Sequence, residues 1–286
     1  MTIPKSFKKT ALPIKDQIKL LKERGLVIND DQETEHFLNN ISYYYLSAYF
    51  KAYQKPDDQF LYKTTLDDVL KLYSFDRKLR LLFLNALERI EKSFKTQFVY
   101  HLSIKYGPNC LTDNEIFEKH KSKIDDNLKH SKEPFIKKFK EKYSDEYPPL
   151  WMLAETLSFG DILNIFSRSL ATNDKKEIAK YYGLNWIYLH SWLSNLREIR
   201  NICAHYSRLW NKKTTSHLKQ SKDYPELRYN NYIFDSVIIT AILLKKVSPT
   251  YEWSEEIKKL IKEYDIKCYK MGFPDKWEDV LKKYSK

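Results

Sequence analysis

The densest set of chemically active side chains lies in one segment, LREIRNICAHYSRLWN at residues 196–211. An imidazole titrates close to neutral pH and can accept or donate a proton, and a guanidinium can hold a phosphate through paired hydrogen bonds. RNA carries its own nucleophile, the 2′-hydroxyl, so its cleavage needs proton transfer and positive charge on the phosphorane oxygens. The segment therefore fits metal-independent cleavage of RNA, with these candidate residues: Arg197, Arg200, Asn201, His205 and Arg208.

The element that must position these side chains is a helix predicted over residues 186–210. At about 100° per residue, Arg200 and His205 are offset by about 140° and flank each other, while Asn201 and His205 form an i, i+4 pair. The Asn201 amide would then fix the imidazole tautomer. Apolar residues recur at steps of three and four and predict a seam that packs against another helix or another subunit: Leu189, Trp192, Leu196, Ile199, Cys203, Tyr206 and Trp210.

Each of these residues also has a purely structural interpretation. An arginine-rich helix face with one histidine is typical of a salt-bridged surface. Cys203 fits a small buried hydrophobic residue in the seam, and His190 fits a surface histidine two turns before Arg197. The sequence has no cluster of Asp, Glu, His or Cys at metal-ligand spacing, so neither a metal nor a cofactor is expected.

Composition favours long helices and a phosphate-rich partner. The 286 residues include only 5 Gly and 10 Pro, which leaves few breaks in helical segments. The formal net charge is +12, which suits nucleic acid or an anionic surface, although a generally lysine-rich proteome would have the same effect. The three cysteines form no CxxC pair, and the N-terminus has no continuous apolar stretch of the kind that a signal peptide needs. A cytoplasmic protein without a membrane partner is expected.

The pattern along the chain predicts an all-α protein, a multi-helix bundle. No run of alternating residues is long enough for a sheet, and the apolar run VIITAILL at 237–244 is too short to span a bilayer. We expect one all-helical unit over 1–286, with a hinge at EYPPL between an N-terminal half, 1–146, and a C-terminal half, 147–286. Helices are predicted at 13–24, 65–106, 115–143, 151–170, 173–182, 186–210, 231–246 and 251–266, with a further short helix after the acidic stretch DDQETEHFL.

Two further stretches have open interpretations. The aromatic cluster NNISYYYLSAYF at 39–50 could stack on bases, or it could form core and rim. The lysine-rich stretch at 115–143 could touch phosphates, or it could be a solvated helix face.

Several stretches together resemble the Abi-like abortive-infection proteins of bacteria, of the AbiD/AbiF type. Besides the segment at 196–211, the matching stretches are DQIKLLKERGLVI at 16–28, ISYYYLSAY at 41–49, LYSFDRKLR at 72–80, ERIEKSFKTQFVYHLSIKYG at 88–107, PLWMLAETLSFG at 149–160 and MGFP at 271–274. This resemblance extends to HEPN domains, which are helical bundles. HEPN ribonucleases carry an Arg, four to six residues and a His, with a polar residue often following the Arg.

The resemblance implies specific roles for residues of this chain. Arg200, Asn201 and His205 match the HEPN motif, so the C-terminal half would be HEPN-like and would commonly dimerise to pair two motifs. In the first half the family frequently has Arg where this chain has Lys95, which would begin a second spacing that ends at His101. Because Lys95 lacks the bidentate fork, a homodimer is the simpler way to pair two sites.

Three functions follow as hypotheses. The first is a toxic, metal-independent endoribonuclease of phage defence, with Arg197 and Arg208 as secondary phosphate contacts and Lys95 and His101 as further RNA-binding residues. The second is a non-catalytic module that holds a cognate structured small RNA, since the resemblance implies that some members are paired with such an RNA. The third is a scaffold that dimerises through the apolar seam without binding RNA.

Overall fold

The computed structural model describes residues 10–112 and 115–285, without the side chains of 115–117; the N-terminal residues 1–9, used above to argue against a signal peptide, lie outside this part. Within it the backbone forms thirteen α-helices, one 3-10 helix and isolated β-bridges but no strand, which confirms the all-α prediction. The α-helices are α1 Ile14–Glu23, α2 Asp31–Ile41, α3 Tyr43–Phe50, α4 Leu66–Tyr106, α5 Glu115–His130, α6 Pro134–Lys142, α7 Leu150–Thr156, α8 Phe159–Arg168, α9 Thr172–Tyr181, α10 Trp186–Ala204, α11 Ile233–Val247, α12 Trp253–Tyr264 and α13 Trp277–Ser285; the 3-10 helix is Cys268–Met271.

Some predicted helices are divided or shortened. The stretch at 115–143 forms two helices because Pro134 begins α6, and a proline is tolerated at that first position. The predicted helix at 151–170 is interrupted at Ser158, whose hydroxyl and the Asp161 carboxylate form a reciprocal capping box that starts α8. The C-terminal helix α13 was not predicted from the sequence.

The chain divides into two compact units, and the division falls inside α4. The first unit comprises the described residues up to Lys78 together with Glu263–Ile266, and the second comprises Leu79–Lys262 and the residues from Lys267 onward. The sequence analysis divided the chain at another place, after residue 146, into the halves 1–146 and 147–286. That division stays a prediction.

In the first unit the aromatic cluster contributes mainly to packing. Tyr49 is fully buried, and its hydroxyl donates a hydrogen bond of 2.7 Å to the Asp76 carboxylate. Tyr45 and Tyr49 both lie edge-on to Tyr73. Among the aromatic residues of the cluster, Tyr44 alone is largely exposed, so core formation explains most of these aromatic side chains.

The second unit is built around α10, which packs against α8, α9 and α11. Its largest buried side chains include Phe94, Phe166, Trp192 and Phe234, each at most 1% exposed. The apolar run at 237–244 lies within α11 and is mostly buried in this core. No helix in the described part of the chain is both long enough and apolar enough to cross a membrane.

A buried carboxylate ties α4 to α9 in this unit. Asp174, whose side chain is 3% exposed, accepts hydrogen bonds from His101 Nε2 at 2.9 Å, Lys105 Nζ at 2.6 Å and the Tyr106 hydroxyl at 2.9 Å. Burial alone would raise the pKa of Asp174, but the bonds from Lys105, His101 and Tyr106 hold its pKa below the ordinary value. The ionised carboxylate is therefore the form that stabilises the fold.

We expect Asp174→Asn to lower the free energy of unfolding at pH 7 by about 2–3 kcal/mol, because it removes charge-assisted hydrogen bonds from a buried site. The folded-state pKa lies below the unfolded value of about 3.9, so the contribution is complete above that pH and is lost as the pH falls through the folded pKa. Urea unfolding at pH 7 and near pH 3 measures both effects. Glu177→Gln on the exposed face of α9 is the control; equal losses in both variants would contradict the prediction.

Candidate functional site

The histidine of the predicted motif lies at the end of a helix and not within it. Helix α10 ends at Ala204, and His205 is its C-cap residue. Tyr206 has φ +57°, the left-handed conformation that terminates many helices. The prediction that this helix continues to residue 210 is therefore wrong, and Arg208 does not lie on its face.

The backbone bonds of this turn form a Schellman motif. The Tyr206 N–H donates to the Cys203 carbonyl at 3.2 Å, and the Ser207 N–H donates to the Ile202 carbonyl at 3.0 Å. These bonds satisfy carbonyls that the end of a helix leaves without partners. The predicted seven-residue seam thus ends one turn early, and Tyr206 is exposed.

A buried arginine from α4 holds the same turn. Arg80 is 5% exposed, and its Nη1 donates to the carbonyl oxygens of Tyr206 at 2.7 Å and Ser207 at 3.2 Å. The sequence reasoning did not find this role. A signal existed, because Arg80 shares a helix face with the buried Phe83 and Leu87, and an arginine at such a position needs partners.

The remainder of the predicted seam is buried within the chain. Leu189, Trp192, Leu196, Ile199, Cys203 and Trp210 are each at most 4% exposed, and α10 packs against α8, α9 and α11 of its own unit. The seam is therefore a core surface. It does not provide the dimer interface that the scaffold hypothesis required.

A polar cleft of about 430 Å³ lies along α10 and brings three predicted site residues together. Arg197, Asn201 and His205 succeed one another at steps of four and line the same wall. His205 is exposed, and no side-chain hydrogen bond or ion pair engages its ring among the described residues. The cleft is lined by Ser194, Arg197, Glu198, Asn201, Ile202, His205, Ser207, Thr215 and Ser216.

Glu198 also lines this cleft and caps residues 215–216, which form another part of its wall. Its carboxylate accepts hydrogen bonds from the backbone N–H groups of Thr215 at 2.7 Å and Ser216 at 2.8 Å, and from the Ser216 hydroxyl. Burial alone would raise the pKa of Glu198, but these donors hold its pKa below the ordinary value. Glu198 is therefore ionised, and its carboxylate oxygens are engaged by the donors of Thr215 and Ser216.

A buried polar network fixes this wall from behind. Asn195 donates from Nδ2 to the Thr214 hydroxyl at 3.3 Å and accepts at Oδ1 from the Ser236 hydroxyl at 2.8 Å. The Thr214 N–H also donates to the Asn231 carbonyl at 2.8 Å. The wall is therefore anchored to both α10 and α11.

A glycine of α8 makes room for the Arg197 side chain. A Cβ atom at Gly160 would lie 3.1 Å from Arg197 Nη1 and 3.6 Å from its Cδ. A β-carbon there would press on the guanidinium and displace it.

Arg200 lies on a neighbouring cleft and not in the cleft of His205. Its Nε is 3.7 Å from the Glu91 carboxylate, and its Nη1 donates to Asn201 Oδ1 at 3.3 Å. Asn201 thus lines the first cleft and also contacts the arginine of the second. The second cleft measures about 470 Å³ and is lined by Leu84, Glu88, Glu91, Lys92, Lys95, Thr96, Glu155 and Arg200.

The expected tautomer-fixing contact between Asn201 and His205 is replaced by a backbone bond. The His205 N–H donates to the Asn201 carbonyl at 3.0 Å, while the Asn201 amide oxygen faces Arg200. Helical spacing places Asn201 and His205 close together. The side-chain amide of Asn201 nevertheless accepts its hydrogen bond from Arg200, which pairs with Glu91 on the adjacent face.

The remaining sequence-predicted residues lie elsewhere. Lys95 shares the second cleft with Arg200 and donates to the Leu157 carbonyl at 2.9 Å. His101 is bound to Asp174 and lines neither cleft. Arg208 is half-buried after the turn and also lines neither cleft. RNA contact by these three residues stays a prediction.

His190 is half-buried and lies behind the first cleft, not on the surface as the sequence interpretation placed it. Its ring stacks at a tilt on Phe166, with 6.4 Å between centroids, and its Nε2 is 3.4 Å from the Ser194 hydroxyl. Burial, with the positive charges of Lys175 and Arg197 nearby, lowers the pKa of His190. The neutral ring supports Ser194 at the edge of the cleft. Among the described residues no three His, Cys, Asp or Glu side chains come together as metal ligands.

The fold and this site define a class: an all-helical protein with an exposed Arg-Asn-His set where a buried helix ends. The chain belongs to the family of Abi-like proteins, whose family model matches residues 36–211, more than half of its length. This membership indicates a part in abortive infection, a form of phage defence. No curated protein and no solved structure matches the chain.

Proposed function

We propose that the chain is an RNA-binding toxin of abortive infection that cleaves RNA without a metal ion. The observation that carries the proposal is the first cleft, where an exposed imidazole without a side-chain partner shares one wall with Arg197 and Asn201. A phosphodiester placed there would meet a proton-transfer group and a permanent positive charge. The net charge of +12 would draw a polyanion toward this surface.

The chemistry needs only what RNA and these residues supply. The 2′-oxygen loses its proton and forms a bond to phosphorus. The bond from phosphorus to the 5′-oxygen breaks, and the 5′-oxygen gains a proton. The products are a 2′,3′-cyclic phosphate and a 5′-hydroxyl. His205 performs one of the two proton transfers, while Arg197 and Arg200 stabilise the phosphorane from the two sides of Asn201.

A second copy of the chain would complete the reaction. One imidazole cannot accept and donate a proton in the same step, so the other transfer requires a further group. A homodimer with two-fold symmetry would bring a second motif to the first. We therefore include a homodimer in the proposal, and the side of α10 that carries the two clefts is the side on which the copies must face each other.

The test is cleavage by the purified full-length chain of 5′-labelled single-stranded RNA in excess EDTA. We expect fragments that end in a 2′,3′-cyclic phosphate, which is identified because mild acid opens the ring to a 2′- or 3′-phosphate. Cleavage that appears only when Mg²⁺ is added would contradict the proposed mechanism.

The ion pair between Arg200 and Glu91 favours an alternative, a non-catalytic module that holds a cognate structured small RNA. With Arg200 held at the second cleft, both clefts would bind phosphates without assembling a catalytic pair. The alternative predicts tight binding that weakens linearly with the logarithm of salt concentration and no cleavage at any protein-to-RNA ratio. Discrete small RNA that copurifies with the chain would fit either function, so cleavage decides between them.

A further inference from the structure

Tyr206 combines three features that the proposed roles of Arg200, Asn201 and His205 do not use. It follows His205 directly, its side chain is 71% exposed, and its backbone is in the left-handed region at φ +57°. Glycine or asparagine normally occupies this position of a helix end, because a β-carbon there meets the backbone. A large aromatic residue at this position therefore needs a reason other than the stability of the turn.

The surrounding structure holds Tyr206 in this conformation. The buried Arg80 binds the carbonyl oxygens of Tyr206 and Ser207, and the two Schellman bonds fix the N–H groups of the same residues. An unfavourable backbone conformation persists where its surroundings determine it in several ways, and such positions concentrate at functional sites. The backbone of Tyr206 is thus held in place, and its side chain is exposed to solvent.

Tyr206 follows His205 directly, so the two side chains leave backbone positions about 3.8 Å apart. A phosphate at His205 therefore has a base of the same strand within reach of the neighbouring side chain. Aromatic rings bind unpaired bases of every kind by stacking. Bases inside a duplex are already stacked on their neighbours and cannot stack on a protein side chain.

We propose, on the basis of the proposed RNA-binding function, that Tyr206 is the stacking surface for an unpaired nucleobase next to the phosphate bound at His205. The substrate class is accordingly single-stranded or looped RNA, and not a continuous duplex. Tyr206 is a specificity-determining residue and takes no part in proton transfer.

The test measures binding in the His205→Ala background, so that the RNA is not cut and the result does not depend on catalysis. Tyr206→Gly is expected to weaken binding of a single-stranded oligonucleotide about tenfold, toward the lower end of the range for one stacked base. The same substitution should leave the melting temperature unchanged or raise it, because glycine suits φ +57°. Tyr206→Phe keeps the ring and should bind like the parent.

An abasic oligonucleotide makes the test specific to stacking. Removal of the stacked base should weaken binding to the parent about tenfold and leave binding to the Tyr206→Gly variant unchanged, so the two changes are not additive. Tyr206→Asn, which also tolerates the left-handed region, replaces Tyr206→Gly if that variant is unstable. Tyr269→Ala, a similarly exposed tyrosine that lines neither cleft, is the matched control.

Two results would overturn the inference: unchanged RNA binding by Tyr206→Gly, or an equal loss for intact and abasic RNA. Parent protein that binds RNA but never cuts it would refute the nuclease mechanism and leave the stacking result intact. Parent protein that binds no RNA at all would refute both.

Discussion

Cleavage of RNA by the His205→Ala variant is expected to fall by about 10³-fold or more, to the level of background hydrolysis in the assay. General acid–base catalysis by one positioned group contributes about 10²–10⁴-fold, and this cleft holds no other imidazole. Growth arrest on expression should disappear with cleavage. The fold should be unaffected, because the ring is exposed and makes no side-chain bond in the described structure.

The matched control is His130→Ala, which removes an equally accessible histidine at the end of α5. It should cut RNA at the parent rate. Initial rates of fragment formation, with circular dichroism to confirm helix content, provide the measurement. If His205→Ala retained parent activity, the assignment of proton transfer to His205 would be wrong, whatever the other variants did.

Arg200→Ala is expected to reduce cleavage by about 10²–10³-fold, the usual effect of removing one donor to a developing oxyanion. Arg200→Lys should recover only part of that loss, because the lysine keeps the charge but lacks the planar fork. Binding of RNA should fall much less than cleavage, since the guanidinium acts mainly on the transition state. Single-turnover rates and dissociation constants separate the two effects.

Glu91→Gln is the informative control for this prediction. It removes the charge that pairs with Arg200 at 3.7 Å but retains a side chain of the same shape. Cleavage should persist or rise, because the guanidinium becomes freer to turn toward Asn201 and a bound phosphate. Parent activity in Arg200→Ala, combined with loss in Arg197→Ala, would transfer the phosphate-binding role to the arginine that already lines the His205 cleft.

Part of the candidate site lies outside the region that the family model matches. The match ends at residue 211, whereas Thr215 and Ser216 line the cleft and Ser236 and Asn231 anchor its wall. The matched region thus includes Arg200, Asn201 and His205, while the part of the cleft wall at residues 215–216 lies beyond it.

Local sequence patterns predicted most of the helices and supplied the residues of the candidate site. The scarcity of glycine and proline, with apolar steps of three and four, predicted long helices such as α4, which begins and ends within one residue of the expected range. The same periodicity predicted which face of α10 is buried, from Leu189 to Cys203. Residue types and spacing made Arg200, Asn201 and His205 candidates, whereas their match to a motif came from the resemblance to HEPN proteins.

Contacts between residues far apart in the chain determined what local patterns could not. Helix α10 ends at Ala204 because Arg80, 126 positions away from Tyr206, binds the turn that follows it. Arg200 pairs with Glu91 at the second cleft, and His101 is engaged because Asp174 lies opposite. Periodicity reports only which face of a helix a residue occupies. The partner that meets that face, and therefore the direction of a long charged side chain, is set by tertiary packing.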